Sequence, residues 1–74
     1  MAVYAVYDEV HGEGMFRVRV YHDSEYGKYY ARIFHNDSGI ESATSSWYAM
    51  WDAPFVPSAL GWARKTIREW GYRF

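Results

Sequence analysis

Three histidines, nine acids and six arginines are the side chains of this 74-residue chain that could bind a metal, move a proton or hold an anion. A zinc site needs three or four converging ligands and groups that orient them. His22 and His35 lack the i, i+4 spacing of a helical pair, and His11 falls in a glycine-containing connection. In the hairpin of residues 15–35, His22 faces Tyr29 and His35 faces Phe16, so the three do not converge and no metal is expected. The acids (Asp8, Glu9, Glu13, Asp23, Glu25, Asp37, Asp52) gather in turns, where capping and solvation explain them. No Ser/His/Asp arrangement can be built, and so short a chain seldom forms a deep pocket, so neither catalysis nor a cofactor is expected. His11-Gly12-Glu13-Gly14 is followed by no lysine and no helix start, which argues against a phosphate-binding loop.

What remains is anion chemistry from Arg17, Arg19 and Arg32, and one hairpin must position them. In residues 15–35, MFRVRVYHDSEYGKYYARIFH, Phe16, Val18 and Val20 alternate with Arg17, Arg19 and Tyr21, the period of a strand with two unlike faces. Residues 23–27 have turn chemistry, and the extended pattern resumes at Tyr29. A four-residue loop over residues 24–27 sets Val20 opposite Ala31 and Val18 opposite Ile33. The other face then pairs Tyr21 with Tyr30, Arg19 with Arg32 and Arg17 with Phe34. A five-residue loop would put Arg32 against Val18, and register follows the buried pattern. Like charges directly opposite cost a few tenths of a kcal/mol up to about 1. Either the guanidiniums are solvated, paired with acids such as Glu41 and stacked on tyrosines, or they form a surface that accepts phosphate or a partner's carboxylates.

Around this hairpin, residues 2–7 are β-prone and predict a first strand, and residues 8–14 read as a connection. Asn36-Asp37-Ser38-Gly39 is a second tight turn, and residues 40–51 predict a further strand. The small residues 42–46 would let a helix approach closely. Trp47, Ala49 and Trp51 share a face, as a core plug or a recognition platform. Both prolines lie in residues 52–57, which break the pattern, and Pro57 suits the first position of a helix. That helix is expected over residues 58–70, about 20 Å long. Ala59, Ala63, Thr66, Ile67 and Trp70 fall on one side with Leu60 at the margin, and Arg64, Lys65, Arg68 and Glu69 opposite. Arg64 and Arg68 repel at i, i+4, offset by their place near the helix C-terminus. Gly71 is the expected left-handed cap, with residues 72–74 folding back on the core. One such helix covers one face of a three- or four-stranded sheet and leaves the other bare.

The expected class is therefore α+β: an antiparallel three- to four-stranded β-meander with one C-terminal α-helix packed on one face, forming a single domain over residues 1–74. A chain of this length buries only roughly 60% of its unfolded surface. With no cysteine, neither a disulfide nor a thiolate metal site staples it. That is compatible with a reducing compartment, and a cytoplasmic location is expected. The apolar start, MAVYAVY, is too short for a leader or a membrane span and carries no early positive charge. Without a secretory signal, the glycosylation pattern at Asn36 carries no weight. A net charge of −1 excludes a strongly basic nucleic-acid binder and an acidic DNA mimic alike. Sixteen aromatics against one leucine and three isoleucines imply a core built largely of rings. The surplus of tyrosine beside arginine is the composition of binding hot spots.

Two functions follow. The first is a non-enzymatic protein-binding module that docks through a bare face bearing Arg17, Arg19, Tyr21, Tyr30, Arg32 and Phe34, extended by Trp47. Its exposed strand edges would also admit strand addition or a homodimer. The second is a nucleic-acid-binding domain that uses the same face for base stacking and phosphate contacts. Two lysines and acidic turns weigh against the second. In size, style and lack of cysteine the whole chain resembles phage or mobile-element accessory proteins that block a host machine, anti-CRISPR inhibitors among them. No motif carries that resemblance, which implies an inhibitor of a host complex.

Overall fold

The computed structural model describes residues 3–48 and 55–74. They form β1 (Val3–His11), β2 (Phe16–Asp23), β3 (Lys28–His35), β4 (Glu41–Tyr48) and α1 (Phe55–Glu69). The strands lie in the order β1-β2-β3-β4, each antiparallel to the next. The fold is thus a four-stranded antiparallel β-meander, with the C-terminal helix packed on one face over β2 and β3.

The β2–β3 register is the one that the buried pattern demands. Val18 pairs with Ile33 and Val20 with Ala31; Arg17 pairs with Phe34, Arg19 with Arg32 and Tyr21 with Tyr30. The Asp23 carboxylate accepts the backbone N–H groups of Glu25 and Tyr26, which closes the four-residue loop. Beneath the helix lie two buried clusters. One joins Phe16, Val18 and Ile33 to Ala63 and Ile67; the other joins Val20 and Ala31 to Ala59. Alanines on both layers shorten the distance between helix and sheet, and rings at the margin (Tyr7, Trp62, Tyr72, Phe74) seal the sides. The expectation of a core built largely of rings is thus corrected: apart from Phe16 the buried centre is aliphatic, and the other aromatics wall it.

The helix ends as its sequence requires. Gly71 adopts φ 91°, its N–H reaches the Arg68 carbonyl, and the Tyr72 N–H reaches that of Ile67. These two bonds form a Schellman cap, and the Tyr72 ring packs on the Ile67 cluster. Residues 72–74 do fold back.

Four further expectations need correction. β1 runs on to His11, so residues 8–11 are strand and His11 pairs with Phe16 instead of lying in a loop. Asp8 is tolerated there because the sheet places it opposite Arg19. The helix begins at Phe55, not Ser58, and Pro57 sits third in its first turn, where no N–H is needed. β4 spans Glu41–Tyr48, shorter than residues 40–51, and Ala49 and Trp51 lie outside the described residues. Trp70 is 40% exposed: it meets the edge of Phe16 at 5.2 Å between ring centroids but does not enter the core. It is the last residue before the cap, where the chain already turns away.

Candidate interaction face

The face of the sheet opposite the helix is covered by no described element. β2 contributes Arg17, Arg19 and Tyr21 to it, and β3 contributes Tyr30, Arg32 and Phe34, all six half-buried by their neighbours. Trp47 enters the ladder opposite Tyr29, and its side chain is not among the described groups.

The charged groups are held by rings and by acids from the outer strands. Arg17 Nη1 donates to Asp8 Oδ1 at 2.7 Å, and Arg19 Nε to Asp8 Oδ2 at 3.1 Å. One carboxylate thus bridges two arginines. Arg32 Nε lies 3.3 Å from Glu41 Oε1. The geometry there is too bent for a hydrogen bond and the Nε atom is shielded from solvent, so the pair is electrostatic only. The Arg19 guanidinium lies 5.4 Å from the centre of the Phe34 ring. Arg32 lies 5.6 Å from Tyr21 and 5.4 Å from Tyr30, and those two rings stack at 5.0 Å and 20°. Cation–π contacts of this kind contribute about 0.5–1 kcal/mol at exposed sites.

These contacts shift ionisation in the direction their signs require. The hydrogen bond from Arg17 leads; against the opposing effect of burial, it and the charges of both arginines hold the Asp8 carboxyl below its ordinary range. The Tyr21 hydroxyl, then Asp8, pushes Arg19 upward. On the helix side, burial and the charge of Glu9 raise Tyr7.

Both acids reach this face through irregularities in the ladders. Val6 is an extra residue between β1 and β2, and Ser42 between β4 and β3. Beyond the second slip, Glu41 pairs with Phe34. Glu41 was legible as a partner in the sequence. Asp8 was not, since its neighbours read as a turn and so placed it outside the sheet that sets it beside Arg17 and Arg19.

The histidines serve packing. His11 Nε2 hydrogen-bonds the Tyr7 hydroxyl at 2.6 Å, and its ring stacks on Phe74 at 3.9 Å. His22 stacks on Tyr29 and accepts or donates at Nδ1 to the Tyr4 hydroxyl, 2.9 Å away. His35 tilts against Phe16. Among the described residues no three metal-binding side chains gather, and no helix is long and apolar enough to cross a membrane.

At one end of the bare face, Arg17, Arg19, Phe34, His35, Asn36 and Gly39 line a cleft of about 200 Å³. Guanidiniums set over rings retain N–H donors beyond those turned to Asp8 and Glu41, an arrangement able to grip carboxylates and cover apolar side chains. No family model, curated protein or solved structure matches the chain at a significant level.

Proposed function

We infer that this chain is a small protein-binding module that docks through the bare sheet face, with Arg17, Arg19, Tyr21, Tyr30, Arg32 and Phe34 as its contact residues. One observation carries the reading: a face left open by the helix bears three arginines already ordered by rings and carboxylates. Side chains ordered before contact lose less conformational entropy on binding. With three cations against Asp8 and Glu41, the face is close to neutral, which suits a mixed protein surface better than a phosphate backbone. Binding nucleic acid here would require free ring faces. Tyr21 and Tyr30 are stacked on each other and flanked by Arg32, which supports the protein reading over that one. Such a module acts, like the accessory inhibitors it resembles, by occupying a partner's surface.

The test is an affinity capture from the native cell, with and without nuclease, read by mass spectrometry. The native chain should retain a protein partner after nuclease treatment. A double variant, Arg19→Glu with Arg32→Glu, should lose it while keeping its circular-dichroism spectrum. Full capture by the folded double variant removes this face from consideration. Capture lost to nuclease, with oligonucleotide affinity falling steeply with salt, would favour the nucleic-acid reading.

A further inference from the structure

The arginines outside the sheet are treated differently by the fold. Residues 64–73 hold four of the eight basic side chains and one of the nine acids. That stretch is therefore +3 and the remainder −4. Each arginine of the sheet has a carboxylate within 3.3 Å. Among the described residues, the side chains of Arg64, Arg68 and Arg73 have none within ion-pair distance. Glu13 is near but is spent otherwise: its Oε2 accepts the backbone N–H of Arg73 at 3.3 Å.

Together Arg64, Arg68, Arg73 and Phe74 line a cleft of about 360 Å³. Its walls are fixed from behind. The Phe74 ring stacks on His11, its carbonyl accepts the Gly12 N–H at 3.2 Å, and Arg64 lies 5.6 Å from the ring centre. Glu13 and Gly12 thereby tie residues 73 and 74 to the β1–β2 turn and hold Arg73 beside the helix. A second cleft shares Arg64 and Arg68, but there Glu69 opposes Lys65. The first has three guanidiniums and no acidic side chain in its lining.

We propose that Arg64, Arg68 and Arg73 form a receptor for a phosphoryl anion, a site separate from the bare sheet face. Three planar forks match the oxygens of a phosphate bidentately, and a multiply charged anion offsets the mutual repulsion of the three. The ring contributes a wall and not a stacking platform, since His11 and Arg64 already flank it. The net negative charge of the remaining chain repels a long polyanion beyond the cleft, so the ligand is compact: a free inorganic phosphate or pyrophosphate, or the phosphates of a nucleotide.

The experiment titrates the full chain at low salt with inorganic pyrophosphate, followed by NMR at the arginine Nε–H signals. Saturable shifts are expected at Arg64, Arg68 and Arg73. Arg68→Gln should weaken binding about tenfold, the loss of one charge-assisted contact, with an unchanged unfolding midpoint. A parallel titration with adenosine diphosphate separates the sources. Equal affinity identifies the free anion as the ligand, and tighter binding identifies a nucleotide. No saturable shift, or an Arg68→Gln variant that binds as well as the native chain, overturns the proposal. Failure here leaves the sheet-face reading standing, because the two sites share no residue.

Discussion

Glu41 lies beside Arg32 because β4 carries one residue more than β3. Ala43 pairs with Ile33 while Glu41 pairs with Phe34, so Ser42 is the extra residue. A regular ladder would have set Glu41 opposite His35, on the helix side, because side chains alternate faces strictly. The bulge turns the carboxylate over to the face where Arg32 and Arg19 stand opposite each other. Glu41→Gln removes the acid beside Arg32 and leaves only Asp8, on Arg19, to offset that repulsion. Both partners are nearly half exposed, so the expected loss is about 0.2–1 kcal/mol, read as a shift in the urea midpoint that shrinks in high salt.

Asp8 holds two arginines and should matter more. Its carboxyl titrates below the ordinary 3.8, so the folded state binds its proton less readily than the unfolded chain does. The stabilisation is therefore fully present above that value and is lost as the pH falls through the lower, folded one. Asp8→Asn should cost about 0.5–1 kcal/mol at neutral pH, the upper range for exposed pairs. Parallel urea titrations should show the gap between variant and native chain closing in acid. A gap that persists below the folded value would deny Asp8 its charge-based role.

Gly12 and Gly14 sit in the same turn at φ 67° and 86°, but only one is enclosed. A Cβ at Gly12 would come 2.7 Å from Phe16 Cδ2 and 3.1 Å from Ile67 Cγ2, while one at Gly14 would meet nothing within 4 Å. Gly12→Ala combines left-handed strain with overpacking and should destabilise by about 2–4 kcal/mol. Gly14→Ala should cost about 1–2, the backbone strain alone. Thermal unfolding followed by circular dichroism ranks the pair.

Two glycines of the helical segment should respond with opposite signs. Gly61 is exposed within α1, and a Cβ there would meet open space. Gly61→Ala should therefore stabilise the protein by about 0.5–1 kcal/mol through reduced chain entropy. Gly71 holds the cap at φ 91°. There alanine should cost about 1 kcal/mol or more. Equal shifts of the same sign in denaturant midpoint would contradict this account of the helix end.

The sequence made the central hairpin legible because hydrophobic alternation and loop length both decide its register, and the two agreed. The Gly71 cap and the returning tail were legible for the same reason: local chemistry sets them. Asp8 and the length of β1 were hidden because an acid among glycines looks like a turn until Arg17 and Arg19 are brought across from the next strand. The bulge at Ser42 left no mark in a run of small polar residues, although Glu41 itself could be named. Phe74 stacking on His11 joins residues 63 positions apart, and no local pattern encodes that contact.

Every strand of the meander neighbours the strand adjacent to it in the chain. Three tight loops therefore close the whole sheet, each at a small entropic cost. Such a topology keeps strand pairing between chain neighbours, which speeds folding relative to sheets built from distant strands. Among the described residues, α1 lies across β2 and β3, and a clasp joins Gly12 and Glu13 to residues 73 and 74. The sheet draws on neighbouring hairpins alone, while the cleft walled by Phe74 needs both ends of the chain brought together by that clasp.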